Sequence, residues 1–173
     1  MYPKQFIESS IMPLLTLAQN QNNGWLPKKA IEYVSNLINV PEIKVLEMAT
    51  FYSMYNLSPV GQNHIEVCTT SPCMLRGADE VLSLFKSKLK IEEGHITLDK
   101  KFSLNRVECL GACVNAPMLQ LNEDYYEDLD PTKLEQIIDK ISNDEVPQPG
   151  SYRGRLSSEP ENTRKTLIGN KNA

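Results

Sequence analysis

The chain predicts an α/β protein. It has a helical N-terminal region over 1–60, then an α/β domain over 61–146 built on a four-stranded sheet, then an irregular tail over 147–173. Three observations predict this. Apolar residues recur at helical spacing through the first sixty positions. Period-two alternation then takes over, interrupted by two helical stretches. The breaker Ser58-Pro59-Val60-Gly61 separates the two regimes.

In the first region, Pro3 to Asn20 carries Phe6, Ile7, Ile11, Leu14, Leu15 and Ala18 near helical spacing, with a kink or break expected at Pro13. Asn22-Asn23-Gly24 is a turn. Pro27 starts a second helix with Ile31, Val34, Leu37 and Ile38 as its buried stripe. Pro41 opens a third, with Ile43, Leu46, Ala49 and Tyr52 on one face. Together these segments suggest an N-terminal helical bundle.

The second region alternates from His64 to Cys68, a strand that delivers a cysteine at its end. Leu75 to Leu89 reads as a helix with Val81, Leu82, Phe85 and Leu89 inward. Phe102 to Glu108 is a second strand and delivers Cys109. Met118 to Leu121 and Tyr125 to Glu127 form a hairpin through Asn122-Glu123-Asp124. Asp130 caps a last helix with Pro131 at its first position and Leu134, Ile137, Ile138 and Ile141 buried. Periodicity stops after Val146.

Composition narrows the function. The 173 residues are 40% hydrophobic and 23% charged, ordinary for a soluble domain. Folding at this length buries roughly 70% of the unfolded surface, so no metal is needed merely to make a core. A net charge of −4 argues against broad nucleic-acid or anionic-membrane binding. No apolar run nears the ~20 residues of a spanning helix. Met1-Tyr-Pro-Lys-Gln lacks the cationic and apolar regions of a signal peptide, so a cytoplasmic, reducing setting is expected. There, paired cysteines bind metal or do redox chemistry more often than they form disulfides.

All four cysteines lie in two tight pairs, Cys68-Thr-Thr-Ser-Pro-Cys73 and Cys109-Leu-Gly-Ala-Cys113, 35 residues apart. Four thiolates are a full ligand set for a small iron–sulfur cluster or for structural zinc. Zinc knuckles usually present C-x2-C, whereas the looser x4 and x3 spacings suit the wider two-iron object; zinc remains the alternative. Gly111, Ala112 and Ala116 are small enough to let backbone N–H groups approach sulfur. Leu110, Met74, Leu75, Val114 and Pro117 can wall the site from water, or simply pack. Thioredoxin-type dithiol chemistry needs C-x-x-C, which is absent. His64 shares a strand face with Cys68 but lies too far along it to be a ligand, and His95 has no partner group. No Gly-rich phosphate loop supports nucleotide or flavin binding.

Ala49-Thr-Phe-Tyr52, Cys68 through Gly77, and Val107 through Met118 resemble the thioredoxin-like [2Fe-2S] subunits of respiratory complex I, the NADH-quinone oxidoreductase. These are its E-type or flavoprotein 2 subunits, and the likeness spans about Gln5 to Gly154. The version here is most similar to alphaproteobacterial and mitochondrial members. The resemblance implies a thioredoxin-like domain and one [2Fe-2S] cluster on Cys68, Cys73, Cys109 and Cys113. It implies a partner subunit carrying FMN and NADH within the peripheral arm, at the cytoplasmic side of the inner membrane and not inserted in it. The chain would then have no complete active site of its own. The same module resembles subunits of NAD-linked formate dehydrogenases and NAD-reducing hydrogenases. The position of Pro117, after a ligand loop and before a strand, leaves its cis or trans state open. The tail is +3 on a body of −7, which suggests docking on a partner or a solvated terminus.

Overall fold

In a computed structural model, which describes residues 2–160 and residue 162, the chain divides at Val60/Gly61 into two compact units. In the first, a 3-10 segment (Lys4–Ser10) leads into α1 (Ile11–Gln21), α2 (Lys28–Ile38) and α3 (Glu42–Phe51). Pro13 does not kink a helix. It sits in the first turn of α1, where N–H groups have no intrahelical partner, and the break falls upstream at the 3-10 to α junction. The non-helical backbone lies at Phe6.

Ile11, Leu15, Leu26, Ile31, Val34, Val45 and Ala49 make the core of this unit. Two faces differ from expectation. Leu37 is exposed, and in α3 the inward residues are Val45 and Ala49, while Ile43 and Leu46 are exposed. In a ten-residue helix that is apolar on several sides, spacing alone does not say which stripe meets the core. Asn39 ends α2 in the left-handed conformation, φ 55°. Tyr55 donates its hydroxyl to Met12 O at 2.9 Å and ties the end of the unit to its start.

The second unit contains β1 (Asn63–Cys68), α4 (Ser71–Leu75), α5 (Ala78–Leu89), β2 (His95–Ile96), β3 (Phe102–Val107), β4 (Leu119–Leu121), β5 (Asp124–Glu127), α6 (Pro131–Ser142) and β6 (Gly150–Ser151). The sheet has six strands, not four, in the order β2-β3-β1-β4-β5-β6. The two extra strands lie at the edges and have two residues each, too short to show any alternation. β1 pairs in parallel with β3 through the α5 crossover, and antiparallel with β4. β5 pairs in parallel with β6.

The stretch expected as one helix over Leu75–Leu89 holds the last residue of α4 and the whole of α5. Gly77 breaks the stretch at φ 98°, a conformation that favours glycine, and Leu75 points to solvent. Ile65 and Val67 face α5 and α6, packing with Phe85, Leu82, Leu134, Ile137 and Ile141. A buried side chain such as Phe85 contributes about 1.5–3 kcal/mol. His64, Glu66 and Cys68 take the other face by strand alternation. Asp130 caps α6 through Lys133 N–H at 3.0 Å.

Candidate metal centre

The parallel pairing of β1 and β3 sets Cys68 opposite Val107. Cys109 follows two residues after that register position, so both motifs begin at the same end of two central strands. Cys73 sits in α4 and Cys113 in a 3-10 turn, Cys113–Asn115. The topology brings all four cysteines to one edge of the domain. They stand as two pairs, and among the described residues no three His, Cys, Asp or Glu side chains close around a single point.

The two pairs have different surroundings. Cys68 and Cys73 are buried with Ala78, Ala116 and Met118, with Leu110, Ala112 and Tyr125 packed against them. Cys109 and Cys113 are exposed, with their sulfurs 3.3 Å apart. Burial pushes the Cys73 thiol up to about 12, helped by its bond to Cys68. Burial also opposes ionisation of Cys68, but hydrogen bonds from Thr70 outweigh it and lower that thiol. Gly111 N–H donates to Cys109 Sγ at 3.4 Å and lowers it too. Cys113 is raised by sharing a proton with Cys109.

The surroundings fit a cluster of two irons with four thiolates. Two pairs each serve one side, and N–H and O–H donors already point at sulfur. The expected role of Gly111 is visible: its φ of 86° aims its amide at Cys109, although a Cβ there would meet nothing within 4 Å. Leu110 packs against the buried pair as expected; Pro117 is buried but is not one of the residues packed there. Met74, Leu75 and Val114 are instead exposed: the short α4 buries only Cys73, and Val114 lies in the turn that follows Cys113. The Ala116–Pro117 bond is cis.

His64 stands four residues from Cys68 along β1, roughly 13 Å at strand rise. It is bonded through Nδ1 to Ser103 Oγ at 2.7 Å. His95 is exposed, with Nδ1 2.9 Å from Glu93 O. Neither joins the cysteines. Thr70, Tyr125 and Asn115 are additions to the expected set. Thr70 occupies the N-cap of α4 without capping it; its hydroxyl lies 3.4 Å from Cys68 Sγ. A Thr before Ser-Pro inside a ligand loop is a readable signal. Tyr125 donates to Leu110 O at 2.9 Å, tying the Cys109 loop to β5. No local pattern announces that bond.

A model for thioredoxin-like [2Fe-2S] ferredoxins matches residues 1–142. The chain belongs to that family. It is 59% identical over 143 residues to the E subunit of the NADH-quinone oxidoreductase of Rickettsia bellii, covering 83% of this chain and 86% of the relative. It is 43% identical over 167 residues to the mitochondrial NADH dehydrogenase [ubiquinone] flavoprotein 2 of Dictyostelium discoideum, covering 96% of this chain and 68% of the relative. The crystal structure of an air-oxidized NAD+-reducing [NiFe]-hydrogenase superposes with a TM-score of 0.65. The superposition covers 75% of this chain and 23% of the hydrogenase chain at 21% identity, a likeness of fold alone. The domain is thus mixed α/β and thioredoxin-like. No helix of the described residues is long and apolar enough to cross a membrane.

Proposed function

We propose that this chain is the electron-transfer E subunit of an NADH-quinone oxidoreductase, with Cys68, Cys73, Cys109 and Cys113 as the ligands of its [2Fe-2S] cluster. The observation that carries this is the meeting of both cysteine pairs at one end of β1 and β3 within a family match covering residues 1–142. A bound cluster would supply uptake and release of one electron at a time. The chain's own residues would hold, shield and orient it. Thr70 Oγ1 and Gly111 N–H lie against the sulfurs, where such donors raise a cluster's potential by stabilising added negative charge. Ala78, Ala116 and Met118 keep water from the Cys68–Cys73 side.

The exposed side is the side for exchange. Cys109 and Cys113 face solvent beside exposed Met74, Leu75 and Val114. Electron transfer weakens steeply with distance, so this edge faces the partner that carries FMN and NADH within the peripheral arm. The subunit works without membrane insertion, at the cytoplasmic side of the inner membrane. The three N-terminal α-helices share one core and act as a small bundle of their own. In the tail, Arg164, Lys165 and Lys171 lie outside the described residues; a docking role for them is part of this proposal.

Anaerobic purification with metal and sulfide analysis tests the reading. Iron and acid-labile sulfide near two each per chain, with visible absorbance and a reduced-state EPR signal, are expected. Stoichiometric zinc without sulfide would overturn it. An equivalent subunit of a hydrogenase or formate dehydrogenase would copurify with different partners.

A further inference from the structure

We propose that Arg155, clamped on the buried carboxylate of Asp128, is a positioning residue for the cluster: it holds the exposed turn that carries Cys113. This rests on the assignment of Cys113 as a ligand. It makes the segment 150–159, which shows no pattern in the sequence, part of the metal centre and not a free tail.

The turn Cys113–Asn115 has little packing of its own, since Cys113 and Val114 are exposed. Each residue that follows Cys113 in it is instead held from elsewhere in the chain. Arg155 Nη2 donates to Val114 O at 3.0 Å. Asn115 Nδ2 donates to Ser157 O at 2.8 Å and to Glu127 Oε2 at 2.6 Å. Asp128 N–H donates to Asn115 O at 2.7 Å, and Leu129 N–H to Pro117 O at 3.1 Å.

Asp128 and Arg155 join these bonds into one unit. The Asp128 side chain is 1% exposed and that of Arg155 10%. Arg155 Nε donates to Asp128 Oδ2 at 2.9 Å and Nη2 to Oδ1, a bidentate pair. Ser151, in β6, donates its hydroxyl to the same carboxylate at 2.6 Å. Arg155 Nη1 also donates to Glu159 O at 3.2 Å, closing the segment on itself. One guanidinium thus touches the buried carboxylate, the ligand turn and its own loop. A lysine ammonium has no planar fork and cannot serve all three at fixed angles.

The bland alternative is that the pair only fastens the C-terminal segment to β5. That role would not move the cluster's own properties. The test uses the full chain, reconstituted anaerobically with iron and sulfide, as wild type, Arg155→Lys, Arg155→Met and Cys113→Ser. Cluster loss to a chelator and the reduced-state EPR g-values are read, with thermal unfolding of each chain as the folding control. Both Arg155 variants should lose the cluster roughly tenfold faster or more, as outer-shell replacements commonly do, and shift the g-values. Arg155→Lys keeps the charge and decides the matter should Arg155→Met fail to fold. Wild-type loss rate and g-values in Arg155→Lys, beside altered values in Cys113→Ser, would overturn the positioning role and leave the ligand reading standing. Unchanged spectra in Cys113→Ser would overturn the ligand reading itself.

Discussion

On the proposed ligand set, the two cysteine pairs would serve one cluster, and the fold holds them by opposite means. Cys68 and Cys73 come from a strand end and a short helix, and apolar packing against Ala78, Ala116 and Met118 fixes them. Cys109 and Cys113 lie on an exposed loop and turn, and hydrogen bonds from Gly111, Tyr125 and Asp128 fix that stretch. Packing is short-range and spread over many contacts, so the buried pair does not depend on any one of them. A bonded loop depends on a few directional contacts, each of modest worth. In the proposed function its advantage is exposure, since an electron would enter and leave on the side where Cys109 and Cys113 are open.

The largest expected effect erases the cluster and separates the pairs. Replacement of any of the four cysteines by Ser should abolish or strongly alter the visible spectrum, because thiolate is the ligand iron prefers here. The metal-free chains should then diverge. Cys68→Ser and Cys73→Ser place a hydroxyl in an apolar pocket and should cost about 1–3 kcal/mol. Cys109→Ser and Cys113→Ser should stay within about 0.5 kcal/mol of wild type. Denaturant melts of the four apo-chains check this, and equal losses would erase the comparison.

Asp128 comes next. Burial pushes its carboxyl up, but the bonds from Arg155 and Ser151 more than reverse this and hold it below the ordinary carboxylate value. Its folded pKa is therefore depressed. The stability it contributes is fully present above the unfolded value of about 3.9 and is lost as pH falls through the folded pKa. Asp128→Asn leaves a buried guanidinium without its counter-charge and should cost roughly 3–5 kcal/mol near neutral pH. It should also flatten the fall in stability below about pH 4. Melts across a pH series give both, and an unchanged acid slope would argue that Asp128 titrates normally.

Gly111→Ala tests the exposed loop by conformation alone. Nothing obstructs a Cβ there, but φ of 86° is strained for any residue with one. A loss of about 1–3 kcal/mol is expected, together with shifted EPR g-values as the amide turns from Cys109. Retention of both wild-type values would show that the loop tolerates another conformation.

The smallest effect is expected from Tyr125→Phe, which removes only the donor to Leu110 O. About 1 kcal/mol of stability should go, and the exposed pair should become faster to lose iron while Cys68 and Cys73 remain buried. Chelator kinetics with a thermal melt read the two parts separately.

Much of this molecule is legible in its residues alone. The central strands, α6 with its Asp130 cap, and the cysteine pairs all follow from signals that span a few residues: alternation, a cap followed by proline, spacing within a motif. Such signals work because neighbouring residues in a strand or helix answer to one local geometry. Even the closeness of Cys68 to Cys109 is implied, since both follow strands that want a common sheet.

What only the tertiary structure decided is of longer range. Which stripe of α3 turns inward depends on where α1 and α2 leave apolar surface, not on the spacing of Ile43 and Leu46. β2 and β6 exist because β3 and β5 offer them open edges; two residues have no period of their own. In the sequence, Arg155 is one basic residue of a loose tail. Its partner is 27 positions away, and a charge finds a buried carboxylate through the fold's whole path. The four thiols stand out as candidate ligands in the sequence because ligand chemistry is written in residue type and local spacing. The exposure of two of them, and the bond from Arg155 to the turn beside Cys113, arise only when remote segments meet.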